Sequence, residues 1–143
     1  MKALLLALGL ASTAAVADEC LTYSANITLQ GLLIRETFAE QPNYEGIEEG
    51  DAAATYYFVA PHRSLCVSEG DVSNQEFAEP EVNRVQLVFT GDAKASHDAL
   101  RPQLGKAVAC SGTLYHQTTG HHHSLVLLWN AECLSAEPKG RTQ

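Results

Sequence analysis

The chain has 143 residues, 45% of them hydrophobic, with four cysteines, six histidines and a formal net charge of −8. That acidic balance repels phosphate backbones and anionic lipid, so nucleic acid and membrane surfaces are excluded as natural partners. The length supports one domain and one core, and no internal repeat or long charged run argues for more.

Met1-Lys2 and the apolar, small-residue run from Ala3 to Val16 are too short for a membrane span. Ala15-Val16-Ala17 has the small-x-small pattern of a cleavage site, which predicts a signal peptide over residues 1–17. Glu19 before Cys20 argues against a lipoprotein. The expected mature chain, 18–143, is a soluble monomer of the periplasm or the medium, without membrane insertion. Loss of Lys2 leaves eight Lys and Arg against seventeen Asp and Glu, a mature charge of −9.

A first strand is expected from about Asn26 to Phe38, with Gly31 marking a bulge or bend. Residues 39–51 form a polar loop carrying Pro42, Asn43, Tyr44, Glu45 and further glutamates. Strands follow at about 54–59 and 64–68, then a loop to Glu81. Val82 to Thr90 alternates as a single strand. Residues 92–103 are the helical candidate, capped by Asp92. Two strong strands, about 106–117 and 124–134, are joined by a turn around Gly120 to His123, and the tail from 135 to 143 reads as flexible.

This order predicts a mainly β fold, a small OB-like five-stranded barrel with one short helix between the third and fourth strands. A small β-sandwich is the alternative, because the segment around Cys66 is one strand more than such a barrel needs. In the barrel, loops 39–51 and 118–123 flank one ligand-binding face.

Four cysteines in an exported chain predict two disulfides. Folding the last hairpin about residues 120–123 sets Cys110 opposite Cys133, within reach of a disulfide. It turns Val108, Cys110, Gly112, Leu114 and His116 inward, opposite Leu125, Leu127, Trp129, Ala131 and Cys133. Cys20 then pairs with Cys66. On this register Trp129 is a core residue.

His116, His121, His122 and His123 crowd this hairpin. Histidine is the commonest metal ligand and titrates nearest neutrality. Alternation lets His121 and His123 point one way and His122 the other. With His116 they offer three nitrogens to zinc or copper, and Glu45 or Glu48 can complete the shell. The structural reading is that these rings hydrogen-bond the loops and cap the barrel mouth, with no cofactor required. His62 and His97 read as surface residues.

Leu104-Gly105-Lys106-x-Val108, Gly112-Thr113-Leu114 and Thr119-Gly120-His121-His122-His123-Ser124-x-Val126-Leu127-Leu128 together resemble a family of exported bacterial proteins, domain-of-unknown-function family 4431. Leu29-x-Gly31-x-Leu33, Pro42-Asn43-Tyr44-Glu45 and Leu65-Cys66-Val67 look like its earlier blocks. Ser124 stands where the family usually has threonine and keeps the hydroxyl. The resemblance implies the fold and export and supplies no activity.

No Gly-x-Ser-x-Gly elbow, phosphate loop or cofactor fingerprint is present, so an enzyme is not expected. The expected function is a binding module of the bacterial cell envelope that engages a protein, peptide or glycan through Asn43, Tyr44, Glu45, His121 and His123. An inhibitor or immunity-like protein acting on a basic hydrolase belongs to this class. The alternative is a zinc- or copper-binding protein using His116, His121 and His123.

Overall fold

The computed structural model describes residues 19–137. The expected signal peptide, residues 1–17, and the end of the expected tail, 138–143, lie outside the described residues. Among the described residues there are seven strands and one α-helix: β1 (Asn26–Ala39), β2 (Ala53–Pro61), β3 (Leu65–Val67), β4 (Glu79–Val82), β5 (Val85–Val88), α1 (Ala93–Leu100), β6 (Ala107–His116) and β7 (Val126–Ser135). The protein is mainly β.

Five strands close into a barrel in the order β1-β2-β5-β7-β6, with β6 returning to β1. Closure removes the exposed edges that an open sheet of this size would present. β1 is long because it serves two partners, β6 along its first half and β2 along its second. Gly31 stands where the two pairings overlap. A Cβ there would lie 2.3 Å from the Ala60 carbonyl oxygen, so only glycine lets the chains approach. Leu33, Val59, Val85, Val108, Leu114, Val126 and Leu128 are completely buried inside the barrel.

The expected strand from Val82 to Thr90 divides in two. The chain bends at Asn83-Arg84, so β5 joins the barrel while β4 pairs with β3 in a separate two-stranded sheet. Cys20–Cys66 ties the start of the described chain to that sheet, and Cys110–Cys133 crosslinks β6 to β7. Both disulfides are those expected. In α1, Asp92 Oδ1 accepts from the Ala95 amide at 3.0 Å, capping the helix.

The last hairpin corrects its expected register. Ser111 faces Glu132 but Thr113 faces Trp129, so β7 carries one extra residue in a bulge, with Asn130 at φ 55°. The bulge flips side-chain parity on its turn side. Val126 and Leu128 point into the core, while Leu125 and Trp129 are exposed, Trp129 by 43%. Trp129 is therefore not a core residue. Gly112 accommodates the bulge, for a Cβ would meet the Trp129 carbonyl oxygen at 2.6 Å.

Two smaller corrections follow. His97 is half-buried, its ring 4.6 Å from that of Tyr57 and 5.4 Å from that of Phe89. Ser135 still belongs to β7 and Ala136 donates to the Ala107 carbonyl, so the ordered strand reaches past the expected start of the tail.

Candidate functional site

The loop from Glu40 to Ala52 is organised by one buried carboxylate. Asp51 accepts from the amides of Asn43 (2.9 Å), Glu45 (2.8 Å) and Gly46 (3.1 Å), and from the Asn43 side chain. These bonds, the amides of Asn43 and Glu45 first, hold the Asp51 carboxyl below its ordinary value against the effect of desolvation. Asn43 and Glu45 thus shape the loop through their backbones. The shape lifts Tyr44 to the rim, where it is 40% exposed.

Glu36 and Phe38 lie on the face of β1 that carries Tyr56 and Phe58 of β2, and Glu40 follows just past the end of the strand. The turn between β6 and β7 folds over this face. His123 lies flat on Phe38, with ring centroids 3.9 Å apart and planes within 5°, and its Nε2 donates to Glu40 Oε1 at 3.0 Å. His121 Nδ1 donates to Glu40 Oε2 at 2.5 Å, and the Tyr56 hydroxyl donates to Glu40 Oε1 at 2.7 Å. One carboxylate therefore receives three donors from two other elements.

Glu40 is only 7% exposed, against 53% for His121. Burial alone would raise its carboxyl. The hydrogen bonds from Tyr56, His123 and His121, with the charge of His121, outweigh burial and hold the group below its ordinary value. Burial and the Glu40 carboxylate push the Tyr56 phenol the other way, upward.

The backbone of the turn is clamped as firmly as its rings. Gln86 is 1% exposed, an unusual place for an amide, because it donates to the His121 carbonyl at 3.0 Å and accepts from the His123 amide at 2.6 Å. Arg84 donates to the His123 carbonyl at 2.8 Å and to Glu36 at 2.7 Å, with its guanidinium over Phe58. Ser124 Oγ donates to the Arg84 carbonyl at 2.7 Å.

The four clustered histidines separate into three environments. His121 and His123 share Glu40. His122 faces the other way, and its Nδ1 accepts from the amides of Thr118 (2.9 Å) and Thr119 (3.2 Å). His116 belongs elsewhere. Its Nε2 faces Glu79 Oε1 at 2.8 Å and its Nδ1 faces the Gln117 carbonyl, under the rings of Tyr23 and Phe77. The expected set of His116, His121 and His123 is not brought together. Glu45 is exposed, and Glu48 makes no contact with the imidazoles among the described residues.

Among the described residues, no group of three or more His, Cys, Asp or Glu side chains is disposed to hold a metal ion. The two nitrogens that face Glu40, His121 Nδ1 and His123 Nε2, carry the hydrogens directed at it and so offer it no lone pair. Sequence reasoning missed Glu40. Its signal was parity, since Glu40 continues the alternation of Glu36 and Phe38 one residue past the end of β1.

Residues 84–129 match the family model described as a domain of unknown function, DUF4431. This bears out the family resemblance read from the sequence. The DUF4431 segment contains Arg84, Gln86, the three histidines and Trp129, while Glu40, Tyr44 and Tyr56 lie before it. Neither a curated protein nor a solved structure matches the chain. No helix among the described residues is long and apolar enough to cross a membrane.

Proposed function

We propose that the protein is an exported, non-enzymatic binding module of the bacterial cell envelope, built as an OB-type barrel with α1 between its third and fourth strands. It engages a protein or peptide partner through the loops around Tyr44 and His121–His123. The observation that carries this reading is a rim formed by two loops hydrogen-bonded to one buried carboxylate. Tyr44 and His121 stand there edge to face, with ring centroids 6.0 Å apart, both substantially exposed above Glu40. Rings fixed before binding lose little entropy when a partner arrives, which is what an aromatic anchor requires.

Charge selects the partner. The loop adds Glu45, Glu48 and Glu49 to the rim, on a chain of net charge −8, so the complementary surface is basic. A cationic envelope hydrolase is a partner of this kind, and an inhibitor or immunity-like role follows from blocking it. Beside the rim, Phe38, Ala39, Tyr44, Glu45, Gly120 and His123 line an open cleft of 390 Å³, wide enough to receive a side chain from that partner.

A photo-crosslinking residue at position 44, expressed in the envelope, tests the reading. The expected result is crosslinking to a basic protein from position 44 and none from Thr28, which is exposed on the β1 stretch paired with β6. Equal crosslinking from both positions, or none from either, would overturn it. Submicromolar zinc or copper binding that is lost in His121→Ala would replace it with the metal reading.

A further inference from the structure

The bulge that turns Trp129 outward also builds a second face on the final hairpin, away from Glu40. Tyr115, His116, Thr118, His122, Leu127 and Trp129 line a cleft of 300 Å³. Tyr115 and Trp129 are 39% and 43% exposed, with their rings edge to face and centroids 6.3 Å apart. Leu127, 1% exposed, forms the floor. No Asp, Glu, Lys or Arg lines this cleft, although the chain as a whole is acidic.

The polar groups in the cleft are set as donors. His122 Nδ1 accepts two backbone amides, so its hydrogen resides on Nε2. Burial, then the charges of His121 and His123, lowers the His122 pKa and favours that neutral ring. Among the described residues the indole N–H of Trp129 and the hydroxyl of Tyr115 have no hydrogen-bond partner, and both rings are substantially exposed.

The geometry points to a binding site for a neutral saccharide on this face, with pyranose C–H groups against Trp129 and Tyr115 and ring hydroxyls accepting from His122 Nε2 and the indole N–H. An uncharged cleft suits an uncharged occupant. Aromatic faces beside fixed N–H donors suit a ring that is apolar on one side and hydroxylated at its edge. The site is distinct from the Tyr44 rim and does not depend on it.

Trp129 is the single tryptophan of the chain, so its fluorescence reports this site directly. Titration of the mature protein with chitotetraose, cellotetraose and maltotetraose should give a saturable emission change with at least one of them, at a Kd on the order of 1 mM. By calorimetry, Tyr115→Ala should weaken that binding about fivefold or more, Tyr115→Phe should weaken it less, and Tyr44→Ala should leave it unchanged. Circular dichroism verifies that each variant is folded. The proposal is overturned by an absence of saturable change with all three sugars up to about 20 mM. It is equally overturned by binding that survives Tyr115→Ala intact, or by a cleft that takes only an apolar dye.

Discussion

Two glutamates among the described residues hold histidines, and they do so in opposite styles. Glu79 meets one ring, His116, and with Tyr23 and Phe77 it fastens the small β3–β4 sheet to the barrel. Glu40 meets two rings and a phenol, and it joins the two loops at the rim. At Glu79 the histidine is buried and the glutamate is only slightly open, with side chains 7% and 14% exposed. At Glu40 the carboxylate is buried while His121 reaches solvent. The first joint serves packing alone; the second presents what it holds. The surroundings agree with this division. Burial, then Glu79 and Glu76, pushes the Tyr23 phenol up to about 12, as befits a ring whose hydroxyl donates to the Phe77 carbonyl in a closed interior.

The largest effect that can break this comparison comes from Glu40→Ala. It leaves the Tyr56 hydroxyl and two imidazoles without their acceptor, and urea unfolding should show a loss of roughly 3 kcal/mol. Hydrogen exchange should accelerate in both rim loops together. Acceleration in one loop alone would mean that the carboxylate does not join them. Next is Glu79→Ala, with a loss of roughly 2 kcal/mol and faster exchange confined to residues 65–82. If this variant also loosened residues 118–123, the two joints would not be independent.

A third effect is one of pH. The folded-state pKa of Glu40 lies below its ordinary 4.5, so as pH falls the folded protein takes up this proton later than the unfolded chain does. Its stabilising contribution is complete above the unfolded value and is lost as pH falls through the folded one. The stability gap between wild type and Glu40→Gln should therefore shrink as pH falls below about 4.5. A gap that widened in acid would reverse the sign. The smallest effect is expected at the rim itself. Tyr44→Ala should change stability by less than about 1 kcal/mol while abolishing recovery of the partner in a pull-down from envelope extract, since its ring is exposed and the loop is held through Asp51.

Much of the fold was legible from local pattern. Alternation marked the long strands, Asp92 marked the start of α1, and hairpin register with compartment fixed both disulfides. What was illegible depended on single-residue irregularities. One bulge beside Asn130 reversed the facing of Trp129, because strand parity has a period of two and cannot survive an inserted residue. One bend at Asn83-Arg84 divided a strand that alternates well on paper.

The site was half legible for a related reason. The histidines announced themselves by clustering, and parity separated His122 from its neighbours. Their acceptor did not, because Glu40 lies 81 residues before His121, in a segment rich in equally plausible glutamates. Gln86 gave no sign either. Its burial makes sense only once the backbone of the histidine turn is laid across it.

Glu40 holds His121 and His123 as hydrogen-bond donors and so fixes the rim. Long-range proton–nitrogen correlation spectra of histidine-labelled protein near pH 7 test it most directly. The expected spectra show hydrogen on His121 Nδ1 and His123 Nε2 and none on His122 Nδ1, with Glu40→Gln shifting the first two rings and leaving His116 unmoved. Rings of His121 and His123 that average between tautomers, and that do not respond to Glu40→Gln, would contradict it.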